Sequence, residues 1–355
     1  MTHLTAQRSP VTIGLDVGDR MTHFCVLGPD DEVVARGKFA TTSGELCSAL
    51  KRWRDALVVL EAGSQSPWMS RALESDGYQV HVADPRRVEL LSKDPRKSDR
   101  RDAELLARLG RLGPTLIGQI FHRGKQAQAD LSIVRSRDLV VRLRASTVQQ
   151  IRGLSKAFGC RLPTSSTRAF ANKVRELVPA VLLPAVNPLL DLLDVLSSVI
   201  QGFERQLAEV AQQRYPEADR LQQVDGIGPI ASVAFVLSVE DPTRFASSRR
   251  VGSWLGLCPR SQASGDKDPD LPITKAGDRY LRRILVQCAH CLLSRGKDCD
   301  LKRFGERLLK RGGGSGARRK VITAIARKLA VLLHALLRSG ADYDPDYLLK
   351  RVSAA

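Results

Sequence analysis

Short hydrophobic runs separated by turn residues open the chain. Residues 11–17, 23–27 and 32–39 are rich in β-branched and aromatic side chains. The Gly-Pro-Asp-Asp segment at 28–31 is a strong turn signal between the last two runs. The pattern predicts a meander of three strands.

Helical and strand-like segments then alternate as far as residue 112. The periodicity predicts helices over 43–53, 67–75 and 102–112, strands over 56–60 and 79–83, and a basic loop over 84–101. The order βββαβαβα is typical of an α/β domain. We therefore predict an α/β domain over residues 1–123.

The middle of the chain, residues 124–215, has a helical pattern throughout. Apolar residues recur every seven positions, and others fill the seam between them: Leu189, Leu196, Phe203 and Val210, with Leu192 or Leu193, Val199 or Ile200, and Leu207. Such heptads indicate a coiled coil, and we expect this region to support self-association. The alternative is a helical hairpin within one chain, formed with residues 131–158.

Residues 216–355 are predicted to form a third, mostly helical domain. A Gly-x-Gly turn at 226–228 joins two helical stretches, and a basic helix is predicted over 274–283. A glycine-rich stretch within 311–320 precedes an amphipathic helix over 318–338. The whole pattern is α/β plus α.

The composition points to an anionic partner. Among 355 residues, 56 are Lys or Arg and 38 are Asp or Glu, which gives a net charge of +18. Nucleic acid is the leading candidate for such a basic chain. A membrane span is not expected, because the apolar stretch 177–200 contains Pro179, Pro184 and Pro188 and two aspartates. With no signal-peptide pattern at the N-terminus, we predict a cytoplasmic protein.

The seven cysteines are too few for a disulfide scaffold. Cys288, His290, Cys291 and Cys299 could suggest a zinc site. However, Cys288 and Cys291 stand three residues apart in an apolar helix, where small core residues are expected. Without a second well-spaced pair, core packing is the preferred interpretation.

Four carboxylates occupy positions that could hold divalent cations. Asp16 and Glu61 end two predicted strands, and Asp99 and Asp102 flank the start of a helix. The carboxyl ends of parallel strands can converge, and residues three apart share a helix face. Phosphodiester chemistry uses such acid clusters because two metals stabilise the attacking and the leaving oxygen.

Two features of the last domain suggest contact with nucleic acid. Gly226 and Gly228 resemble a helix-hairpin-helix turn, whose glycines let a DNA phosphate approach backbone N–H groups. Ser264 lies in a loop next to Gly265, where it could attack a phosphodiester. Basic residues surround that loop in the sequence: Arg260, Lys267, Lys275, Arg279, Arg282 and Arg283.

These motifs, in this order, resemble the DEDD transposases of bacterial insertion sequences. The resemblance spans nearly the whole chain and rests on five segments: Gly14–Gly18, Leu60–Gly63, Lys97–Ala103, Gly226–Pro229 and Gly256–Arg283. The family includes relatives of the pilin-gene invertase and bridge-RNA-guided recombinases. The resemblance implies a transposase or recombinase acting on DNA.

The resemblance also implies a fold and a set of site residues. The first domain would be RuvC-like, with the RNase H fold, and Asp16, Glu61, Asp99 and Asp102 would bind Mg²⁺. Ser264 would be the nucleophile of a Ser-Gly pair. Many relatives have Ser-Ser-Gly, whereas Ala263 precedes Ser264 in this chain, so Ser261 remains a second candidate.

The mechanism that the resemblance implies involves RNA and several protomers. Ser264 would form a phosphoserine link to DNA, and the acids of another protomer would complete the site. A structured non-coding RNA would pair with donor and target DNA, and the middle helices would assemble dimers into a tetramer. Two alternatives remain: a Holliday-junction-resolvase-like nuclease that uses only the acids, and a non-enzymatic nucleic-acid-binding protein.

Overall fold

The chain divides into two compact units, residues 1–123 and 124–355. The structure is a computed structural model, and it describes residues 11–91, 98–260, 271–312, 314 and 316–353. The elements of the first unit are β1 (Thr12–Val17), β2 (Met21–Leu27), β3 (Val33–Ala40), α1 (Ser43–Leu50), β4 (Leu57–Glu61), α2 (Ser66–Ser75), β5 (Gln79–Ala83), α3 (Pro85–Leu91), α4 (Asp99–Leu112) and α5 (Pro114–Ile117).

One mixed sheet organises the first unit. Its strand order is β3-β2-β1-β4-β5. Strand β2 runs antiparallel to both of its neighbours, β1 and β3, whereas β4 runs parallel to β1 and β5. Alternate residues of β1 face opposite sides. Ile13 and Leu15 pack with α1 and α2 on one face, while α4 covers the other. The predicted meander and the βββαβαβα order are confirmed, with the short helix α3 inside the segment that was predicted to be a basic loop.

Gly14 allows α4 to approach the centre of β1. A Cβ atom on Gly14 would lie 2.0 Å from the carbonyl oxygen of Ala103 and 2.4 Å from the amide nitrogen of Ala107. Both atoms belong to the α4 backbone, so neither can move aside as a flexible side chain would. Only a residue without a side chain fits here, and α4 therefore rests directly on the strand.

The second unit is helical. Its α-helices are α6 (Lys125–Ala157), α7 (Phe170–Val174), α8 (Leu183–Arg214), α9 (Glu217–Leu221), α10 (Pro229–Val239), α11 (Arg249–Trp254), α12 (Arg279–Arg295), α13 (Asp300–Arg311), α14 (Ala317–Ser339) and α15 (Tyr347–Ser353). Every residue of α10 from Ala231 to Val239 is buried, so α10 is the central core helix of this unit.

The two long helices α6 and α8 pack against each other within one chain. Arg137 forms an ion pair with Glu204, and Arg144 donates a hydrogen bond to Ser197 over 3.3 Å, which fixes an antiparallel register. The heptad positions Leu193, Ile200 and Leu207 are buried. This half of the predicted seam therefore forms the hairpin that the sequence left as the alternative.

Two of the other heptad positions, Leu192 and Val199, remain on the surface, together with three further apolar residues of the hairpin. Leu192, Val195 and Val199 of α8 are between 40% and 58% exposed, and Leu139 and Leu143 of α6 are each 48% exposed. The α6–α8 register places the two groups at neighbouring levels of the hairpin. The hairpin thus keeps an apolar surface that its own chain does not cover.

Prolines do not interrupt α8, contrary to the expectation from the sequence. Pro184 lies in the first turn, where its missing N–H has no intrahelical partner to lose, and Pro188 is accommodated one turn further on. The stretch Ala180–Arg214 is consequently long and apolar enough to cross a membrane by length and composition alone. One such helix is weak support for a span, because core helices pass the same test.

The predicted basic helix over 274–283 begins later than expected. Residues 271–278 are irregular, and α12 starts at Arg279 after Asp278, whose carboxylate accepts a 2.9 Å hydrogen bond from the amide of Leu281. Lys275 adopts a φ of +57°, which no helix tolerates. The amphipathic helix expected over 318–338 is confirmed as α14.

Replacement of Gly14 by Ala is expected to separate α4 from the sheet. The added methyl overlaps two backbone atoms, so the first unit should lose about 1–3 kcal/mol of stability. Hydrogen exchange of peptides from β1 and α4 measures the loss. Gly44→Ala is the matched control, because a Cβ there meets nothing within 4 Å. Equal protection of β1 and α4 in both variants would contradict the close-approach argument.

Candidate metal centre and nucleic-acid surface

Asp16 and Glu61 share one face of the sheet. Asp16 lies two residues after Gly14, so both point towards α4. Glu61 lies two residues after Val59, which also packs against the α4 side. Because β1 and β4 are parallel and pair Leu15 with Leu60, Asp16 and Glu61 end neighbouring strands at the same edge.

Helix α4 brings the other two acids to this edge. Asp99 and Asp102 both lie in its first turn, which begins after Ser98. The carboxylate of Asp99 is exposed and Asp102 is half-buried. The predicted position of these residues at a helix start is confirmed. The helix begins at Asp99, three residues earlier than predicted.

Asp16 is the residue on which the cluster converges. Its pKa is raised to about 6, first because its carboxylate is partly withdrawn from water, then because Asp102, Asp99 and Glu61 place negative charge nearby. His23 acts in the opposite direction and lowers it. A bound cation would relieve this repulsion, and hard carboxylate oxygens are the ligands that Mg²⁺ prefers.

His23 joins the cluster through the strand register. It pairs directly with Asp16 across β1 and β2, and its Nδ1 lies 3.4 Å from Oδ2 of Asp99. Ligand atoms of Asp16, His23 and Asp99 all lie within 4.8 Å of one another. Among the described residues, this is the only such group of possible metal ligands.

The turn after Glu61 is held by two side chains that the sequence did not single out. Ser66 accepts a 3.0 Å hydrogen bond from the amide of Gly63 and donates one of 2.9 Å to its carbonyl oxygen. Nε2 of His122 lies 2.8 Å from the same hydroxyl. Burial and the charges of Arg71 and Arg123 lower the pKa of His122, which favours a neutral ring that donates from Nε2. The network holds the turn that carries Glu61.

The ends of the predicted serine loop are fixed, although Ser264 and Ser261 themselves lie outside the described residues. Pro259 and Ile273 form an antiparallel bridge. The amide of Arg260 donates to Pro272 over 3.0 Å, and that of Thr274 donates to Cys258 over 2.9 Å. These bonds hold the two stems of the loop side by side.

The predicted basic surface divides into exposed cations and cations with partners inside the protein. Arg260, Lys275 and Arg279 are exposed. Arg282 instead donates to the carbonyl oxygens of Leu255 and Ala276, so it stabilises the stem. Arg283 forms an ion pair with Asp138 of α6, and its guanidinium lies 5.3 Å from the Tyr280 ring centre.

The two glycines of the predicted hairpin differ in their surroundings. Gly226 has a φ of +84°, and a Cβ there would lie 2.7 Å from the carbonyl oxygen of Cys288 on α12. Gly226 therefore serves internal packing. Gly228 immediately precedes α10, is exposed and has nothing within 4 Å of a Cβ position, so only this glycine leaves room for an approaching phosphate.

The cysteines do not form a metal group in the described part of the chain. Cys288 is buried, as core packing requires, whereas Cys291 is exposed despite the three-residue spacing. Burial raises the pKa of Cys288 to about 12, which keeps a neutral thiol. The prediction that both cysteines pack in the core is therefore wrong for Cys291, because it lies at the edge of the buried face of α12.

Comparison with known sequences identifies the family. A family profile of DEDD transposases of the IS110 type matches residues 13–158, and one described as "Transposase IS116/IS110/IS902 family" matches residues 218–304. A "Probable family 20 transposase" of Pseudomonas aeruginosa is 30% identical over 94% of this chain and 98% of its own length. The chain belongs to the IS110/IS116/IS902 family of transposases.

Further relatives of this transposase agree with that assignment. The "Transposase for insertion sequence element IS1111A" of Coxiella burnetii is 26% identical over 93% of the chain and 90% of its own length. The "Pilin gene-inverting protein" of Moraxella bovis is 27% identical over 36% of the chain and 38% of its own length. The chain is thus an enzyme of DNA transposition.

The raised pKa of Asp16 predicts that its charged carboxylate destabilises the first unit of this transposase without metal and stabilises it when a cation is bound. The folded state holds the proton more tightly than the unfolded chain, so this group's destabilising effect grows as pH rises from about 4 to 6 and persists above. At pH 8 without metal, Asp16→Asn should stabilise the first unit by about 1–2 kcal/mol, a value reduced for solvent screening.

Hydrogen exchange of β1 and α4 peptides measures this effect. With Mg²⁺ the order should reverse, because only the wild type gains protection from the cation. Asp30→Asn, in the turn after β2, is the control, because Asp30 is exposed at the other end of the sheet. An Asp16→Asn variant that responds to EDTA and Mg²⁺ as the wild type does would exclude Asp16 as a metal ligand.

Proposed function

We propose that this transposase cuts and rejoins DNA through a phosphoserine intermediate, guided by a structured non-coding RNA. The observation that carries the proposal is the convergence of Asp99, Asp102 and Glu61 on Asp16, whose pKa is raised to about 6 by partial burial first and by these three charges second. Four acids with this mutual repulsion suit a cation-binding centre better than a structural role.

The architecture of the first unit supports a RuvC-like assignment. The five-stranded sheet in the order 3-2-1-4-5, with acids on the first and fourth strands and on the helix that covers them, supports the RNase H fold that the resemblance implies. We infer that Asp16, Glu61, Asp99 and Asp102 form its acidic tetrad. A Mg²⁺ pair held there would stabilise charge on the attacking and leaving oxygens.

Ser264 is the proposed nucleophile. Its Oγ bonds to phosphorus, one bridging P–O bond breaks, and the serine proton ends on the released deoxyribose oxygen. Reversal of the step with a different DNA end rejoins the strands, so no external energy source is needed. The clamped stems at Pro259–Ile273 and the exposed Arg260 support a loop that presents a residue to DNA.

The exposed apolar positions of the α6–α8 hairpin are the proposed oligomer interface. Leu139, Leu143, Leu192, Val195 and Val199 lie at neighbouring levels of the hairpin and would pair with the same surface of another copy. We infer a dimer that assembles further into a tetramer, in which one protomer's acids act with the serine of another.

Nucleic-acid partners account for the net charge of +18. In the proposed mechanism a guide RNA pairs with donor and target DNA, and the protein contacts backbones. Arg260, Lys275, Arg279 and Gly228 are available for such contacts. Arg282, Arg283 and Gly226 are proposed to support this surface rather than to contact nucleic acid. The proposed reaction takes place in the cytoplasm.

Replacement of Ser264 by Ala is expected to abolish the covalent protein–DNA adduct. Transposition should fall at least about 10³-fold, because removal of the nucleophile stops the exchange. The assay detects a slower-migrating adduct on denaturing gels, with the flanking non-coding RNA supplied. Ser261→Ala is the matched control and should keep the adduct. Cleavage that persists in Ser264→Ala would favour the water-using, resolvase-like nuclease instead.

Glutamates introduced into the exposed apolar surface of the hairpin are expected to dissociate the proposed oligomer. Leu143→Glu with Val195→Glu should weaken association about 10²–10⁴-fold, since each buried side chain contributes about 1.5–3 kcal/mol. Light scattering after gel filtration measures the mass. Leu112→Glu with Val34→Glu, two exposed apolar positions of the other unit, is the control. An unchanged mass would place the interface elsewhere.

A further inference from the structure

A large groove lies along the outer face of α14. Its volume is about 1240 Å³, and its other walls come from α13, the C-terminal segment 341–348 and the two stems of the serine loop. The floor is apolar and includes Phe304, Val331 and Leu332. Tyr347 stands at the edge of the groove and is 54% exposed. None of the residues predicted from the sequence to bind nucleic acid lines this groove.

Five cations line the groove: Arg249, Arg319, Lys320, Arg327 and Lys328. Those of α14 form two pairs separated by eight residues, or about 12 Å along the helix. The Lys328 ammonium lies 4.5 Å from the Phe304 ring centre, which places positive charge directly beside the apolar floor. The groove therefore combines a basic rim with an apolar base.

Three cations of the rim are not paired with acids in the described part of the chain. Among the described residues, the ion pairs do not include Arg249, Arg319 or Arg327. Three acids line the groove. Asp300 and Asp344 pair with Arg303 and Lys350, and Asp342 accepts a 3.1 Å hydrogen bond from Gln223. The excess positive charge at the α14 end thus calls for an external polyanion.

The position of the groove indicates which polyanion binds there. Leu257, Pro259 and Pro272 form part of its wall, and they belong to the stems that lead into the loop of Ser264. DNA bound in the groove would therefore lie beside the stems of that loop. The apolar floor favours unpaired bases, because a duplex keeps its bases stacked inside.

We propose that the α14 groove binds the single-stranded DNA that flanks the cleaved phosphate. Phosphates lie against Arg319 and Arg327, and bases lie against the apolar floor and the Tyr347 ring. This inference rests on the proposed function, since it takes Ser264 as the attacking residue. It adds a DNA-binding site and identifies unpaired DNA as its ligand.

The first test neutralises the rim. Arg319→Gln with Arg327→Gln should weaken binding of a fluorescent 20-nucleotide single-stranded DNA by the full-length chain about 10-fold. The slope of log affinity against log salt should shrink by about 1.4, the value for two lost phosphate contacts. Arg161→Gln with Lys173→Gln removes the same charge outside the groove and should bind as the wild type does. Circular dichroism melts confirm that both variants fold.

The second test addresses the bases. Tyr347→Ala should weaken binding of single-stranded DNA about 10-fold and leave duplex binding unchanged, whereas Tyr347→Phe should restore it. If the rim variant binds single-stranded DNA as its control does, the groove proposal is overturned. Weakened binding of single-stranded RNA alone would also overturn it. The Ser264 adduct, measured separately, decides the proposed function, so the two failures are distinguishable.

Discussion

The contact between the backbone of α4 and the backbone of β1 at Gly14 is the constraint on which the first unit depends. With no side chain at this position, Ala103 and Ala107 rest on the strand, and the start of the same helix reaches the strand edge. Asp99 and Asp102 then face Asp16, two residues further along β1. A larger residue would move the helix as a rigid body, because its own hydrogen bonds resist local distortion. The geometry of the acids is thus set by packing.

The raised pKa of Asp16 shows what that geometry costs. Partial burial of Asp16 disfavours its charged form first, and repulsion from the neighbouring carboxylates adds to it. The fold tolerates this cost because the core behind β1 is extensive. His23 offsets part of it from β2. The Ser66–His122 network restricts the backbone of the turn after Glu61, because the Ser66 hydroxyl bonds to Gly63 in that turn. These contacts hold the acids in place, so a cation that bound there would require little rearrangement.

Much of the first unit could be predicted from the sequence, because period-two runs and Gly-Pro-Asp turns specify strands locally. The acids were also found, since carboxylates at strand ends stand out. His23 was missed because its place beside Asp16 depends on the hairpin register, which no single residue reveals. Charge counts likewise could not separate Arg279, which is exposed, from Arg282, which serves two carbonyl oxygens. The difference lies in backbone geometry around Gly277, whose φ is +71°.

In the second unit, helix α6 connects two proposed roles. Leu139 and Leu143 lie on its exposed surface, while Arg135 and Asp138, within a turn of Leu139, form ion pairs with Asp278 and Arg283 at the start of α12. The Tyr280 ring lies within 5.3 Å of the guanidinium groups of Arg135 and Arg283. Burial is the main cause that raises the pKa of Tyr280 to about 12. Because α12 begins directly after the second stem of the serine loop, the proposed assembly through α6 would bear on that stem. A composite site between protomers needs such a rigid link, since a flexible one would lose the alignment that the reaction requires.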